Sequence, residues 1–223
     1  MTEEEWRSAI APNSNEAVVA FVEYLVTCPS NRKKRLLACA CSRHCWPILL
    51  ASGNKLRGWY RQLNDWLPAA IDTSEAFADG NSDKKNLRNA WPTHSGGGPY
   101  NIARDVCSSR ARRTIGVLHG LWAVFAEEGL SNPFENFVLF ARDIFGNPFR
   151  HSTISPEWLT WNNGTIPKLA QTIYDERRYD IMPILGDALE DAGCTDAQIL
   201  EHCRGPGPHV RGCWVVDLIL GKE

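Results

Sequence analysis

No stretch of this chain approaches the roughly 20 consecutive apolar residues that a membrane-spanning helix needs. The opening MTEEEWRSAIAP is acidic and then mixed, without the basic leader and continuous apolar core of a secretory signal. Both absences predict a cytoplasmic protein with no membrane partner. A strong excess of one charge is also missing. The formal net charge is −2 over 223 residues, which gives no overall attraction to nucleic acid or lipid. The one Gly-rich run, in THSGGGPYN, has no Lys-Ser/Thr behind it and so is no phosphate-binding loop. The NGT at 163–165 fits a glycosylation sequon, but without a secretory signal it reads as a turn. No Cys-x-x-Cys knuckle and no nucleophile-elbow motif occurs.

What is present suits a globular core. Apolar residues make up 43 % of the chain and nine are Trp, enough for one large domain or two small ones. Strand-like alternation is weak and helical spacing runs nearly throughout. NEAVVAFVEYLV places Val18, Phe21, Val22 and Leu25 on one face. Ser30 is placed to cap the next helix, NRKKRLLACACSRHCW, which sets Leu37, Cys41 and Cys45 on a stripe and which Pro47 is expected to end or kink. The polar, turn-rich residues 72–100 read as a long connection carrying short helices between two subparts, 1–71 and 101–223. Further helices follow: IARDVCSSRARRTIGVLHGLWAVFAEE, NPFENFVLFARDIF, SPEWLTW with Ser155 before Pro156 as its start, TIPKLAQTIYDERRYD, MPILGDALEDAG and a short one started by Thr195-Asp196 and ending near Cys203. RGPGP then turns the chain into HVRGCWVVDLIL, read as a central last helix with Trp214 in the core. The expected fold is all-α, a compact multi-helix bundle of short and medium helices in one domain.

The blocks RKKRLLACACSRHCW, IFGNPFR, LAQTIYDERRYDIMPILGDALEDAGC and HCRGPGPHVRGCWVVDLILGKE resemble a family of bacterial proteins, expanded in planctomycetes, to which no activity is assigned. The resemblance implies a bacterial, cytosolic, stand-alone protein. It carries over no cofactor and no functional residue.

Three constellations could carry chemistry. Cys41 and Cys45, and again His209 and Cys213, are four residues apart. Two such helical pairs could supply the four tetrahedral ligands of a structural zinc ion. The competing reading is that these eight-Cys chains, reduced in the cytosol, bury their thiols as small hydrophobes, Cys213 included. Second, His209, Cys213 and Asp217 step along one helix side in the order a Cys/His-dependent enzyme would use, although groups stacked on one helix point outward in parallel. Third, residues 24–64 hold eight Lys or Arg and no acid, while acids outnumber bases eight to two over 175–201. Arg32, Lys33, Lys34 and Arg35 open a helix, where the macrodipole disfavours them. They are expected to form an exposed patch for a polyanion such as nucleic acid, or for an acidic protein partner. Trp59, Tyr60, Trp66 and Trp91 nearby could stack on bases. The alternative is that this basic helix docks on the acidic C-terminal helices of the same chain. Asp187, Glu190 and Asp191 read as the polar face of a surface helix. The leading expectation is a non-catalytic protein-interaction or regulatory module.

Overall fold

The computed structural model describes residues 2–8, 27, 30–51, 57–90, 106, 108, 117 and 136–222. The helices expected over 15–26 and 102–128, and Trp91, lie outside them apart from single positions, as do the side chains of Trp59, Tyr60 and Trp66. All regular structure among the described residues is helical, with no strand, as expected. No helix there is long and apolar enough to cross a membrane. The chain divides into two compact units, Met1–Val138 and Leu139–Glu223.

The first unit contains α1 (Glu3–Ser8), α2 (Asn31–Ala51), α3 (Arg57–Ala78) and α4 (Lys84–Asn89). Ser30 caps α2, its Oγ accepting from the Lys33 amide at 3.2 Å. The apolar run Leu36–Cys41 that follows is buried, as are Cys45 and Trp46. Pro47 does not stop the helix, which continues to Ala51. α2 packs along α3, and the register between them is electrostatic. Arg32 Nε donates to Asp79 at 3.0 Å. Arg43 bridges Asp72 at 2.8 Å and Glu75 at 3.3 Å. Arg35, only 5 % exposed, donates to Ser74 Oγ at 3.2 Å and to the Val106 and Ser108 carbonyls at 3.0 and 2.6 Å.

Of the segment read as a connection carrying short helices, residues 72–90 are described and 91–100 lie outside the described residues. The polar residues at its start are the last two turns of α3, and their acids are the partners of the basic helix. The segment then holds α4, capped by Asp83, whose carboxylate accepts from the Asn86 amide at 2.7 Å. Compact division of the chain falls instead at Val138/Leu139.

The second unit holds most of α5 (Phe137–Phe145), then α6 (Pro156–Glu176), a 3-10 turn (Tyr179–Ile181), α7 (Met182–Asp191), α8 (Ala197–Arg204) and α9 (Trp214–Leu220). α6 begins as read, with Ser155 as cap and Pro156 in the first turn. At 161–164 its backbone leaves the helical region, with Asn162, Asn163 and Gly164 left-handed, so the two helices expected here remain two pieces. Asp196 caps α8, accepting from the Gln198 amide at 2.9 Å. The core is built by Ile166, Ala170 and Ile173 of α6, Met182, Leu185 and Leu189 of α7, Ile199 and Cys203 of α8, and Val215, Val216 and Ile219 of α9.

The last helix is shorter than expected. It starts at Trp214, with Cys213 as its N-cap residue, and Trp214 is only partly buried against the core. His209 and Val210 therefore lie in the loop before it. Gly207 shapes that loop. Its φ is +78°, and a Cβ there would stand 2.9 Å from the His209 amide nitrogen, so only glycine fits.

Candidate metal centre

The α5 sequence FVLFARDIF is apolar but for one basic and one acidic residue. Phe140, Ala141 and Ile144 are buried, and the Asp143 side chain is buried with them at 3 % exposure. A carboxylate removed from water needs partners, and the α8–α9 segment supplies them. Oδ2 accepts from the Val210 amide at 2.8 Å. Oδ1 lies 2.8 Å from His209 Nδ1 and 3.1 Å from His202 Nε2. His202 Nε2 is also 3.1 Å from Cys213 Sγ. The two imidazoles meet edge to face, with ring centroids 4.9 Å apart, and Trp214 flanks His202 at 5.2 Å.

One ligand atom from each of Asp143, His202, His209 and Cys213 lies within 4.8 Å of the others, so this buried group could hold a metal ion. Proton counting favours that use. His202 Nε2 faces both a carboxylate oxygen and a thiol sulfur, and a single N–H cannot serve both. A divalent cation satisfies all four donors at once. Zinc–ligand distances of about 2.0–2.3 Å give tetrahedral edges of about 3.3–3.6 Å. The close separations here are a few tenths of an ångström shorter, while the group as a whole spreads up to 4.8 Å, so the side chains must shift to close on an ion.

The electrostatics agree with the geometry. Burial alone would raise the Asp143 carboxyl pKa. Hydrogen bonds from His202 and His209, then the charge of both rings, outweigh it and hold the pKa below its ordinary value. Cys213 moves the other way, raised well above the ordinary thiol by burial and secondarily by Asp143. A coordinated dication reverses that logic, because it stabilises the thiolate directly.

Of the four zinc ligands expected from sequence, His209 and Cys213 belong to this group. Cys41 and Cys45 belong to the first unit and are not members. Both are buried thiols, with Cys45 pushed up to about 12 by burial and Cys41 also raised. His209 and Cys213 do not meet as an i, i+4 helical pair, because His209 precedes the helix. They meet because the loop folds back. Asp217 is buried in α9 and lies outside the group, so the order His209, Cys213, Asp217 does not form a constellation. All six cysteines among the described residues are buried.

The basic cluster is also placed differently from expectation. Arg32 and Arg35 do not stand in solvent. The Arg32 side chain is 10 % exposed against Asp79, and Arg35 is held as described above. Lys33 and Lys34 are half-buried. Within the first unit, Arg32 and Arg43 of the basic helix pair with Asp79, Asp72 and Glu75.

Sequence reasoning missed Asp143 and His202. The signal for Asp143 was a lone acid on an otherwise apolar helix face. The signal for His202 was a third candidate ligand just before the Gly-Pro loop that returns His209 and Cys213. No protein-family model, curated protein or solved structure matches this chain.

Proposed function

We propose that the second unit is a zinc-stabilised helical module, non-catalytic, that serves a cytoplasmic protein in binding a protein partner. The observation that carries it is the convergence of Asp143, His202, His209 and Cys213 in a buried position. A carboxylate, two imidazoles and one thiolate form a borderline donor set, suited to zinc and ill suited to calcium or magnesium, which take oxygen ligands. Four protein donors fill a tetrahedron and leave no position for a substrate, the mark of a structural site.

A Cys/His-dependent enzyme is the competing reading, since His202 does approach Cys213. Burial argues against it: Cys213 is 1 % exposed, and a nucleophile needs both access and thiolate. A nucleic-acid role for residues 24–64 loses Arg32 and Arg35 to internal partners. Ile184 on α7, 53 % exposed, offers a protein partner an apolar contact.

Metal analysis after zinc loading and exhaustive dialysis tests the ligand set. The full chain is expected to keep about one equivalent of zinc, Cys41→Ala to keep the same, and Cys213→Ala and His202→Ala to keep far less. Wild-type protein that keeps none, or Cys213→Ala protein that keeps as much as wild type, would remove the reading.

A further inference from the structure

Resting on that zinc reading, we infer that His202 is the ligand through which the ion enters and leaves, and that the Trp214 ring sets how fast it does so. The four donors are not equally enclosed. Asp143 and Cys213 are buried, the His209 side chain is 8 % exposed and that of His202 is 19 % exposed. The outer edge of the group is therefore His202. The other three are also held where they stand. Asp143 Oδ2 accepts from the Val210 amide. Cys213 heads α9, whose Val215 and Val216 are buried. The Gly207 turn holds the His209 backbone close.

The helix that carries His202 stays in place while the side chain turns. On α8, Cys203 is packed against Gly186, where an added Cβ would stand 2.9 Å from the Cys203 Cβ. Arg204 pairs with Asp187 at 2.8 Å and with Glu190. Both residues after His202 are thus tied to α7, and Glu201 before it is exposed. What can turn is the His202 side chain, and partly exposed side chains change rotamer far faster than helices move. Its ring leans on two others, His209 at 4.9 Å and Trp214 at 5.2 Å between centroids. Trp214 offers no ligand atom, so its contact with His202 does not depend on the ion. That contact exists with and without metal and is lost only while His202 is swung out. It therefore raises the barrier to uptake and to release equally, and leaves the affinity where the four donors set it. Aromatic pairs of this kind change an equilibrium by about twofold to tenfold.

Stopped-flow zinc uptake and release by the full chain, with a colorimetric chelator as acceptor, reads this directly. In Trp214→Leu, which keeps an apolar side chain but no ring, both rate constants are expected to rise about fivefold, with the dissociation constant within about twofold of wild type. Trp214→Phe, which keeps a ring, should have rates between the two. A second measurement needs no variant and decides the matter if Trp214→Leu does not fold. Diethyl pyrocarbonate acting on zinc-free wild-type protein, mapped by mass spectrometry, should label His202 before His209. Rates unchanged in Trp214→Leu, faster release without faster uptake, or His209 labelled first would overturn the His202 route, and with one equivalent of zinc bound the metal centre would stand. Wild-type protein that binds no zinc would remove both.

Discussion

Zinc at about a thousandfold above its dissociation constant is expected to stabilise the protein against unfolding by about 4 kcal/mol. For a chain of this size that corresponds to a rise of about 10 °C in the midpoint of the transition that includes the second unit. The effect follows from the absence of a preformed site in the unfolded chain, where Asp143 and Cys213 are 70 residues apart in sequence and do not converge. Binding energy at such a site becomes folding energy. A strong chelator should reverse the shift fully, and Cys213→Ala should abolish most of it. A melting curve that zinc and chelator leave in place, in protein shown to be folded, would contradict a structural ion.

The second large effect lies in the first unit. Arg35→Ala is expected to cost about 2–3 kcal/mol in denaturant titration, because it removes the donor to Ser74 Oγ and to the Ser108 carbonyl, at about 1–3 kcal/mol for an orphaned buried group, while the Val106 carbonyl keeps the Ser74 hydroxyl as donor at 2.7 Å. The guanidinium serves Ser74 Oγ and two backbone carbonyls at once and lies over the Phe77 ring at 4.9 Å. Lys has no planar fork and cannot reproduce that pattern, so Arg35→Lys should also destabilise, by roughly half as much. A loss below about 1 kcal/mol for Arg35→Ala would place this residue at the surface, where most substitutions have small effects.

Arg35 also shows where sequence reading reached its limit. The acid-free run around it was visible, and so was its conflict with the helix dipole. What resolves the conflict is Asp79 for Arg32 and, in part, Ser74 for Arg35, both in a segment that reads as loop because it is polar. A polar stretch and a helix that spends its polar face on a neighbouring helix have the same composition. Only the pairing of α2 with α3 distinguishes them. Elements set by local signals were legible: the caps at Ser30, Ser155 and Asp196, the buried stripe of Leu37, Cys41 and Cys45, and the all-α class.

At the candidate metal centre the same division holds. His209 and Cys213 were legible because both donors lie in one short segment. The mode of their meeting was not, because i, i+4 spacing implies a shared face only inside a helix, and α9 begins after Cys213. The Gly207 turn brings His209 back by a route that periodicity does not encode. Asp143 was hidden by distance in sequence, though a lone carboxylate among Phe140, Ala141 and Ile144 already required a buried partner. Its partners come from α8 and the loop before α9, a tertiary fact.

The most direct test of the central claim is the electronic absorption of the full chain loaded with cobalt(II) in place of zinc. Tetrahedral coordination by one thiolate, two imidazoles and one carboxylate predicts intense visible ligand-field bands together with a sulfur-to-metal charge-transfer band. The charge-transfer band should vanish in Cys213→Ser and persist unchanged in Cys41→Ser and Cys45→Ser. Weak octahedral-type bands without sulfur character in the wild-type protein, or a charge-transfer band that follows Cys41 and Cys45 instead of Cys213, would contradict the Asp143, His202, His209 and Cys213 centre.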